Sequence, residues 1–333
     1  MQSRVFATVL AGLMVAGCMV SRVAPVGPDS SVQQLAASRT NRLQRPEDGV
    51  DIASLKRTMA ILAGTSALPS GTLINERGGT AGRELTRQFL INSLQELGYT
   101  VERHKYRTNG ENIVARLMAP TQTDEYILMG AHMDSVSNHG ADDDGSGSTA
   151  VLEAARVLKA MPDRKVNLMV AWFDEEELGL VGSKYLAKEY KKQGLNITSV
   201  HCIDMLGYDN DGDRRVEVAR PEGDLWETYQ HVNETHGLKL PLSRVNTGSS
   251  DHVSWANEGF KSVLLCEEWN GGDTTPHYHR KTDTYETINF DFLAAGTKLM
   301  TAVVADLSQK VKGAAPQPFV PHTRFPGKDL HCH

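Results

Sequence analysis

A histidine and an aspartate two residues apart form the first group of side chains in this sequence that could do chemistry. His132 and Asp134 follow an apolar run at residues 126–131, so both point to the same side of an extended chain. The imidazole could bind a metal ion, while the carboxylate could accept the other ring N–H and fix the tautomer. A buried histidine with satisfied hydrogen bonds is the alternative interpretation of this pair alone.

Three consecutive aspartates, Asp142, Asp143 and Asp144, form the second group. Adjacent carboxylates repel one another unless a cation, a helix N-terminus or solvent compensates their charge. A helix is predicted directly after them, so an exposed acidic loop that caps this helix is one interpretation and a cation site is the other. The glycines in Gly145-Ser146-Gly147 favour close approach of the backbone, and the sequence lacks the P-loop pattern of a phosphate site.

Further acidic side chains occur where other predicted strands end, and a histidine cluster follows late in the sequence. Asp174-Glu175-Glu176-Glu177 follows an apolar run at residues 166–173, and Asp204 lies in the run at residues 200–205. Neighbouring carboxylates can have different roles, because one can bind a metal ion while the next acts as a base. His277-Tyr278-His279 completes the set. Imidazole nitrogens and carboxylate oxygens, with no cysteine among them, suit Zn²⁺, with Mn²⁺ or Co²⁺ as substitutes.

The elements that must position these side chains alternate between strands and helices. Helical spacing of apolar residues predicts helices at residues 52–62, 82–97, 148–159, 181–192 and 293–310. Apolar runs predict strands at residues 99–106, 112–118, 126–131, 166–173, 200–205, 216–219 and 263–266. This alternation predicts the α/β class: a single three-layer domain over residues 46–312, with a mostly parallel mixed sheet flanked by helices. In such sheets active sites gather at the carboxyl ends of the strands, where the candidate residues occur.

The order of these motifs resembles the two-zinc aminopeptidases of metallopeptidase family twenty-eight, which include the bacterial leucyl aminopeptidases. The resemblance rests on His132-x-Asp134, Gly-Ala-Asp-Asp-Asp-x-Ser-Gly, Glu-Glu-x-Gly-Leu-x-Gly-Ser, Asp204-Met205 and Tyr278-His279-x-x-x-Asp283. Each motif is weak alone, and their common order makes the match specific. The resemblance implies the zinc-exopeptidase, phosphorylase/hydrolase-like fold.

The resemblance also implies two zinc ions per chain and a ligand set. His132 and Asp204 resemble the terminal ligands of one ion. Glu177 and His279 resemble the terminal ligands of the other ion, and Asp143 resembles the ligand that bridges both. In the family, the peptide bond after the bridging aspartate is cis.

Four more residues acquire roles from the resemblance. Asp134 and Asp283 resemble residues that support the ligands from behind. Glu176 resembles the general base, in a register set by Leu178-Gly179-Leu180-Val181-Gly182-Ser183, so the glutamate before it is not catalytic. The Tyr278 hydroxyl could stabilise the oxyanion of the reaction, and a residue of the pocket wall is the alternative role.

The implied activity is hydrolysis of N-terminal residues from peptides with a free α-amine. Two zinc ions would hold and acidify a water molecule. Glu176 would take its proton during attack on the scissile carbonyl and pass it to the leaving amine. Two alternatives are a glutaminyl-peptide cyclotransferase with one working zinc and a non-catalytic receptor or scaffold domain, both on a related fold. The complete set of ligands favours the peptidase over the scaffold.

The N-terminus has the pattern of a bacterial lipoprotein signal. Arg4 precedes an uncharged apolar run at residues 5–20. Within this run, Val15-Ala16-Gly17-Cys18 resembles the lipobox, in which the cysteine is lipidated and becomes the new N-terminus. Met19 stands where the inner-membrane retention signal has aspartate. We therefore expect an exported protein that a lipid anchors in the cell envelope, at the outer membrane and facing the periplasm or the exterior.

The segments outside the catalytic domain follow from this interpretation. We expect a signal peptide at residues 1–17, a flexible tether at residues 18–45 and a membrane contact through the lipid on Cys18. An uncleaved signal anchor and ordinary secretion are the alternatives. Residues 313–333 contain several prolines and are predicted to form a loose tail.

Composition limits the class of protein and its partners. The 333 residues carry 35 Lys+Arg and 41 Asp+Glu, a net charge of −6, which argues against a nucleic-acid partner because such proteins present a basic face. Hydrophobic residues make up 40% and charged residues 23%, as in ordinary globular proteins. Four cysteines are too few for a scaffold built on disulfides.

Overall fold

The structure, a computed structural model, describes residues 45–310. The predicted signal peptide at residues 1–17, the lipidated Cys18, nearly all of the tether and the tail at residues 313–333 lie outside the described residues and stay predictions. Within residues 45–310, no helix combines the length and the apolar character that a bilayer crossing requires.

Eight strands of the described residues form one mixed sheet. They are β1 (Thr100–Lys105), β2 (Glu111–Leu117), β3 (Glu125–His132), β4 (Asn167–Phe173), β5 (Asn196–Ile203), β6 (Val216–Ala219), β7 (Leu242–Val245) and β8 (Ser262–Cys266). Their order across the sheet is β1-β2-β4-β3-β5-β8-β6-β7. The central strands β4, β3, β5 and β8 are parallel, while β2 and β6 join this group in antiparallel pairs. The predicted α/β class with a mostly parallel mixed sheet is confirmed.

Helices cover both faces of the sheet. They are α1 (Ile52–Leu62), α2 (Thr80–Glu96), α3 (Gly145–Lys159), α4 (Val181–Gln193), α5 (Leu225–Thr235), α6 (His252–Asn257) and α7 (Phe290–Gln309). Buried residues of α1, α2, α3, α5 and α7 form one apolar cluster with the sheet. Buried residues of α4 and α6 form a second cluster on the opposite face. The fold therefore has the three layers that the sequence predicts.

Strand β4 shows why a continuous apolar run marks a central strand. Leu168, Val170 and Trp172 belong to the first cluster, whereas Met169 and Phe173 belong to the second. All are buried because side chains alternate between two covered faces. The strand ends where Asp174 donates its backbone N–H to the Asn112 side chain of β2 at 2.8 Å.

Side-chain caps set two helix starts that apolar spacing places too late. Helix α3 begins at Gly145, three residues before its predicted start, because the Asp144 carboxylate accepts the Gly147 N–H at 2.8 Å. Helix α7 begins at Phe290 because Asn289 caps it in the same way. The cap at Asp144 ties the N-terminus of α3 to the acidic loop.

A buried histidine predicts a pH dependence of stability. His201 is fully buried on β5, between the hydroxyls of Ser199 and Tyr229 at 2.9 Å each. Burial lowers its pKa to about 3, with a smaller contribution from the charge of Lys261. In the unfolded chain the histidine has a pKa of about 6.5 and binds a proton below that pH. The folded chain does not bind this proton until the pH falls to about 3, so the free energy of unfolding decreases as pH falls below 6.5.

We expect His201 to lower the free energy of unfolding by about 2 kcal/mol at pH 5 relative to pH 8. H201Q cannot titrate, so it should lose that part of the pH dependence. Urea unfolding of both chains at pH 5 and pH 8 measures the difference. Equal pH dependence in the two chains would show that His201 titrates alike in the folded and unfolded states.

Candidate metal centre and active site

The ends of two neighbouring parallel strands bring the first candidate ligands together. His132 is the last residue of β3, and Asp204 follows β5 directly. The His132 Nε2 atom lies 3.5 Å from Asp204 Oδ1 and 3.1 Å from Asp143 Oδ1. His132 is 1% exposed, so this group is shielded from solvent. The arrangement can hold a cation among one nitrogen and two carboxylates.

A second candidate group lies on the other side of Asp143. The His279 Nε2 atom lies 3.2 Å from Asp143 Oδ2 and 3.0 Å from Glu177 Oε2. Asp143, Glu177 and His279 offer atoms that all lie within 4.8 Å of one another. The two oxygens of Asp143 therefore face two different imidazoles, and the five residues predicted as ligands form two groups that share one carboxylate.

Asp144 lies as close to His132 and Asp204 as a ligand would, but backbone groups occupy its carboxylate. Its oxygens accept the N–H groups of His132 at 3.0 Å, Gly147 at 2.8 Å and Met205 at 3.3 Å. Asp144 thus holds β3, the start of α3 and the segment after β5 together. The peptide bond between Asp143 and Asp144 is cis.

Asp283 positions the acidic loop from the opposite side. Its Oδ1 atom accepts the Asp142 N–H at 2.7 Å, and its Oδ2 atom accepts the Asp143 N–H at 3.1 Å. Asp283 is fully buried, so these two bonds fix the backbone that carries the shared carboxylate.

Asp134 has a different role from the one its spacing suggests. The His132 Nδ1 atom lies 3.1 Å from the backbone oxygen of Asp134 and 3.6 Å from its carboxylate, too far for a hydrogen bond. The main-chain carbonyl therefore sets the tautomer and leaves Nε2 to face the site. The Asp134 carboxylate instead accepts the N–H groups of Glu176 at 3.0 Å and Glu177 at 3.3 Å.

The three consecutive glutamates point to three different environments. The Glu175 carboxylate pairs with Arg83 at 2.9 Å and Arg107 at 2.6 Å, and it accepts the hydroxyl of Tyr106 at 2.8 Å. Glu177 faces the second candidate group. No described residue hydrogen-bonds to the Glu176 carboxylate, which stands among the acidic side chains of the site. This geometry removes Glu175 from the candidates for a base.

The carboxylates of the candidate site carry more negative charge than the positive side chains of the described residues neutralise. Burial raises the pKa of Glu176 to about 10 and that of Glu177 to about 7. Burial lowers the pKa of His132, but the negative charges of Asp204 and the other carboxylates around it have the larger effect and raise this pKa well above its usual value. Such a cluster is stable when cations lie within it, because positive charge returns carboxyl pKa values to their usual range.

The donor set fits two divalent cations of the zinc type. It offers two imidazole nitrogens and three carboxylates, with one carboxylate between the two groups. The Glu177 Oε1 atom is buried and has no hydrogen-bond partner among the described residues, so it is free to bind a cation.

Tyr278 lies in the wall beside the second group. Its ring stacks on the His279 ring, with the two centroids 3.8 Å apart. It also packs edge-to-face with the Trp269 ring, with a centroid distance of 4.8 Å. Tyr278 is 39% exposed, and its hydroxyl makes no hydrogen bond within residues 45–310. The Tyr278 ring therefore packs against the face of the His279 ring. Trp269 lies in the segment after β8, and no motif or periodicity of the sequence marks it.

Comparison with known proteins identifies the family. Residues 112–304 match the family model described as Peptidase family M28. The chain belongs to this family. The matched segment contains all five candidate ligands together with Asp134, Glu176, Tyr278 and Asp283.

Several proteins that are similar to this chain are named as aminopeptidases. A probable leucine aminopeptidase of Trichophyton verrucosum is 29% identical over 63% of this chain and 61% of its own length. BSAP, a zinc aminopeptidase from Bacillus subtilis, is 29% identical with a TM-score of 0.56, over 62% of this chain and 52% of that chain. The LapA aminopeptidase of Legionella pneumophila is 24% identical with a TM-score of 0.70, over 80% and 74%.

The chain spans part of the length of its curated relatives and shares its fold with a second enzyme class. The matches span between 42% and 63% of the length of the curated relatives. A glutaminyl cyclase of Porphyromonas gingivalis, 17% identical, shares the fold with a TM-score of 0.66 over 78% of this chain and 99% of that chain. The fold alone therefore does not distinguish a peptidase from a cyclase.

The contact of Asp283 with the acidic loop predicts an effect on metal affinity. We expect D283N to bind zinc about 10- to 100-fold more weakly, because its amide nitrogen cannot accept the backbone N–H that the carboxylate oxygen accepts. Competition with a chromophoric chelator measures the affinity. D291N changes an exposed aspartate of α7 in the same way and should bind zinc like the wild type. Equal affinities for all three chains would exclude this role of Asp283.

Proposed function

We propose that this chain is a zinc-dependent aminopeptidase that hydrolyses N-terminal residues from peptides. The observation that carries the proposal is the position of the Asp143 carboxylate, with its two oxygens 3.1 and 3.2 Å from the Nε2 atoms of His132 and His279. One carboxylate thus lies between two groups, each of which consists of one imidazole and one further carboxylate. This is the donor arrangement of two metal ions that share a bridging ligand.

Five residues would hold two zinc ions. His132 and Asp204 would bind one ion, His279 and Glu177 the other, and Asp143 both. The zinc in the name of the Bacillus subtilis relative supports the choice of metal, and the mixed nitrogen and oxygen donors suit it. Zinc supplies Lewis acidity when bound, which acidifies water and favours negative charge on a carbonyl oxygen.

The chain's own residues would move the proton. Glu176 accepts a proton from the attacking water and delivers it to the leaving amine, since no other described residue occupies its carboxylate. Asp134 holds the Glu176 backbone, so the base and the neighbouring ligand Glu177 keep a fixed relation. Tyr278, which stacks on His279, could turn its hydroxyl toward the oxyanion.

The substrates would be peptides with a free N-terminus. The α-ammonium group is attracted to a site with excess carboxylate charge, in which Glu176 and Asp204 lie near the buried Asp251. The aminopeptidase names of the relatives support this substrate class.

The location is also a proposal. We infer from the lipobox at Cys18 that a lipid anchors the exported protein to the cell envelope, with the outer membrane as the expected site. Metabolic labelling with a fatty acid should mark the wild type and leave C18S unmarked. Label in C18S would exclude this anchor.

The first experiment measures zinc content and hydrolysis of amino-acid p-nitroanilides for the wild type, E175Q, E176Q and E177Q. We expect two zinc ions per wild-type chain, and we expect E176Q to keep both while its kcat falls about 10²- to 10⁴-fold. E177Q should lose zinc, since it removes a ligand. E175Q should stay active and lose stability, because Glu175 pairs with Arg83 and Arg107.

Other outcomes separate the competing functions. An active E176Q would exclude Glu176 as the base. One zinc per chain, no hydrolysis and cyclisation of a peptide with N-terminal glutamine would favour the glutaminyl cyclase. A wild-type chain that binds no metal would overturn both enzymatic functions and favour a scaffold domain.

A further inference from the structure

A fully buried arginine lies behind the loop that carries the candidate ligands. The Arg77 side chain is 0% exposed and donates only to backbone oxygens. Its Nε donates to Met133 at 2.9 Å, and Nη2 donates to Gly140 at 2.7 Å. Its Nη1 donates to Leu62 at 3.0 Å and to His139 at 2.5 Å. Four hydrogen bonds thus use the planar fork of the guanidinium.

Three of these acceptors mark both ends of one loop, while Leu62 is the last residue of α1. Met133 directly follows the candidate ligand His132, and Gly140 lies three residues before Asp143. The Arg77 backbone N–H also donates to the Ser135 hydroxyl at 3.1 Å, in the middle of this loop. Arg77 therefore fixes the segment that separates the two residues.

The loop packs closely around the Arg77 guanidinium. A Cβ atom at Gly140 would lie 2.8 Å from Arg77 Nη2, and Gly140 adopts a φ of +57°. No carboxylate of the described residues forms an ion pair with Arg77. Burial lowers the pKa of Arg77, while the charges of Asp283, Asp144, Asp143 and Asp134 act against that shift. The arginine thus supplies a positive charge behind the acidic loop without occupying a ligand oxygen.

We propose that Arg77 is a positioning residue of the metal centre, which holds His132 and the shared carboxylate of Asp143 at the separation that a pair of metal ions requires. The proposal rests on the proposed function, because it assumes that these residues bind two metal ions. It adds a residue that lies outside the segment matched by the family model.

The chain contains a matched control for this arginine. Arg164 is also buried, 3% exposed, and also donates to backbone oxygens, namely those of Leu158, Lys159, Met161 and Met118. Leu158, Lys159 and Met161 lie at the C-terminal end of α3, away from the acidic loop, and Met118 directly follows β2. A substitution at Arg164 therefore reports what the loss of a buried guanidinium does to the fold alone.

The experiment titrates Co²⁺ into the metal-free full chains of the wild type, R77K, R77M and R164K. The visible absorption of Co²⁺ counts the sites and reports their ligand geometry. We expect R77K and R77M to bind the second equivalent at least tenfold more weakly than the wild type, with a changed spectrum. R164K should show the wild-type affinity and spectrum. In hydrolysis, kcat of R77K should fall at least tenfold while KM changes less than threefold.

Each other outcome overturns the inference in a recognisable way. Wild-type affinity and spectrum in R77K would overturn the role of Arg77 and leave the aminopeptidase intact. A wild-type chain that binds no Co²⁺ would overturn both proposals. Failure of R77K to fold, seen by circular dichroism, would overturn the inference as well, because Arg77 would then serve the whole fold. Weakened binding in R164K equal to that in R77K would have the same meaning.

Discussion

The geometry of the site depends on the charge balance around the Asp143 carboxylate. Its two oxygens face two imidazoles, so each movement of this group changes both candidate metal positions at once. The imidazoles lower the pKa of Asp143 against the effect of burial, which keeps it ionised. Asp283 accepts the Asp143 N–H, and the Asp144 cap ties the acidic loop to α3. The candidate ligands His132, Glu177 and Asp204 lie at or shortly after the ends of parallel strands, whereas His279 lies between β8 and α7.

The sequence predicts the central part of this arrangement because strand ends and motif order are local properties. The apolar run of β4 and the acidic residues after it indicate a buried strand that ends at a site. The predicted register of the three glutamates follows from the glycines downstream, and in the structure Glu175 forms ion pairs with Arg83 and Arg107. The ligand residues come together as the resemblance implies, while their metal roles stay predictions.

The remaining features depend on contacts between distant segments. Spacing predicts that the Asp134 carboxylate faces His132, but the backbone oxygen is nearer and the carboxylate turns to Glu176 and Glu177. Arg77 belongs to no motif, and its acceptors are main-chain atoms that no sequence pattern displays. The analysis of apolar runs also missed the eleven-residue helix α5. It missed the four-residue edge strand β7 and the short helix α6 as well, since neither of these two is long enough for a periodic signal.

One contact has a consequence for how such a site can change over time. The Asp134 carboxylate accepts the backbone N–H groups of two successive residues, of which one is the candidate base and the other a candidate ligand. A substitution at position 134 therefore disturbs the candidate base and the candidate ligand together, so the two positions cannot change independently through this contact. A change of the Glu176 side chain, by contrast, leaves both of these backbone contacts in place.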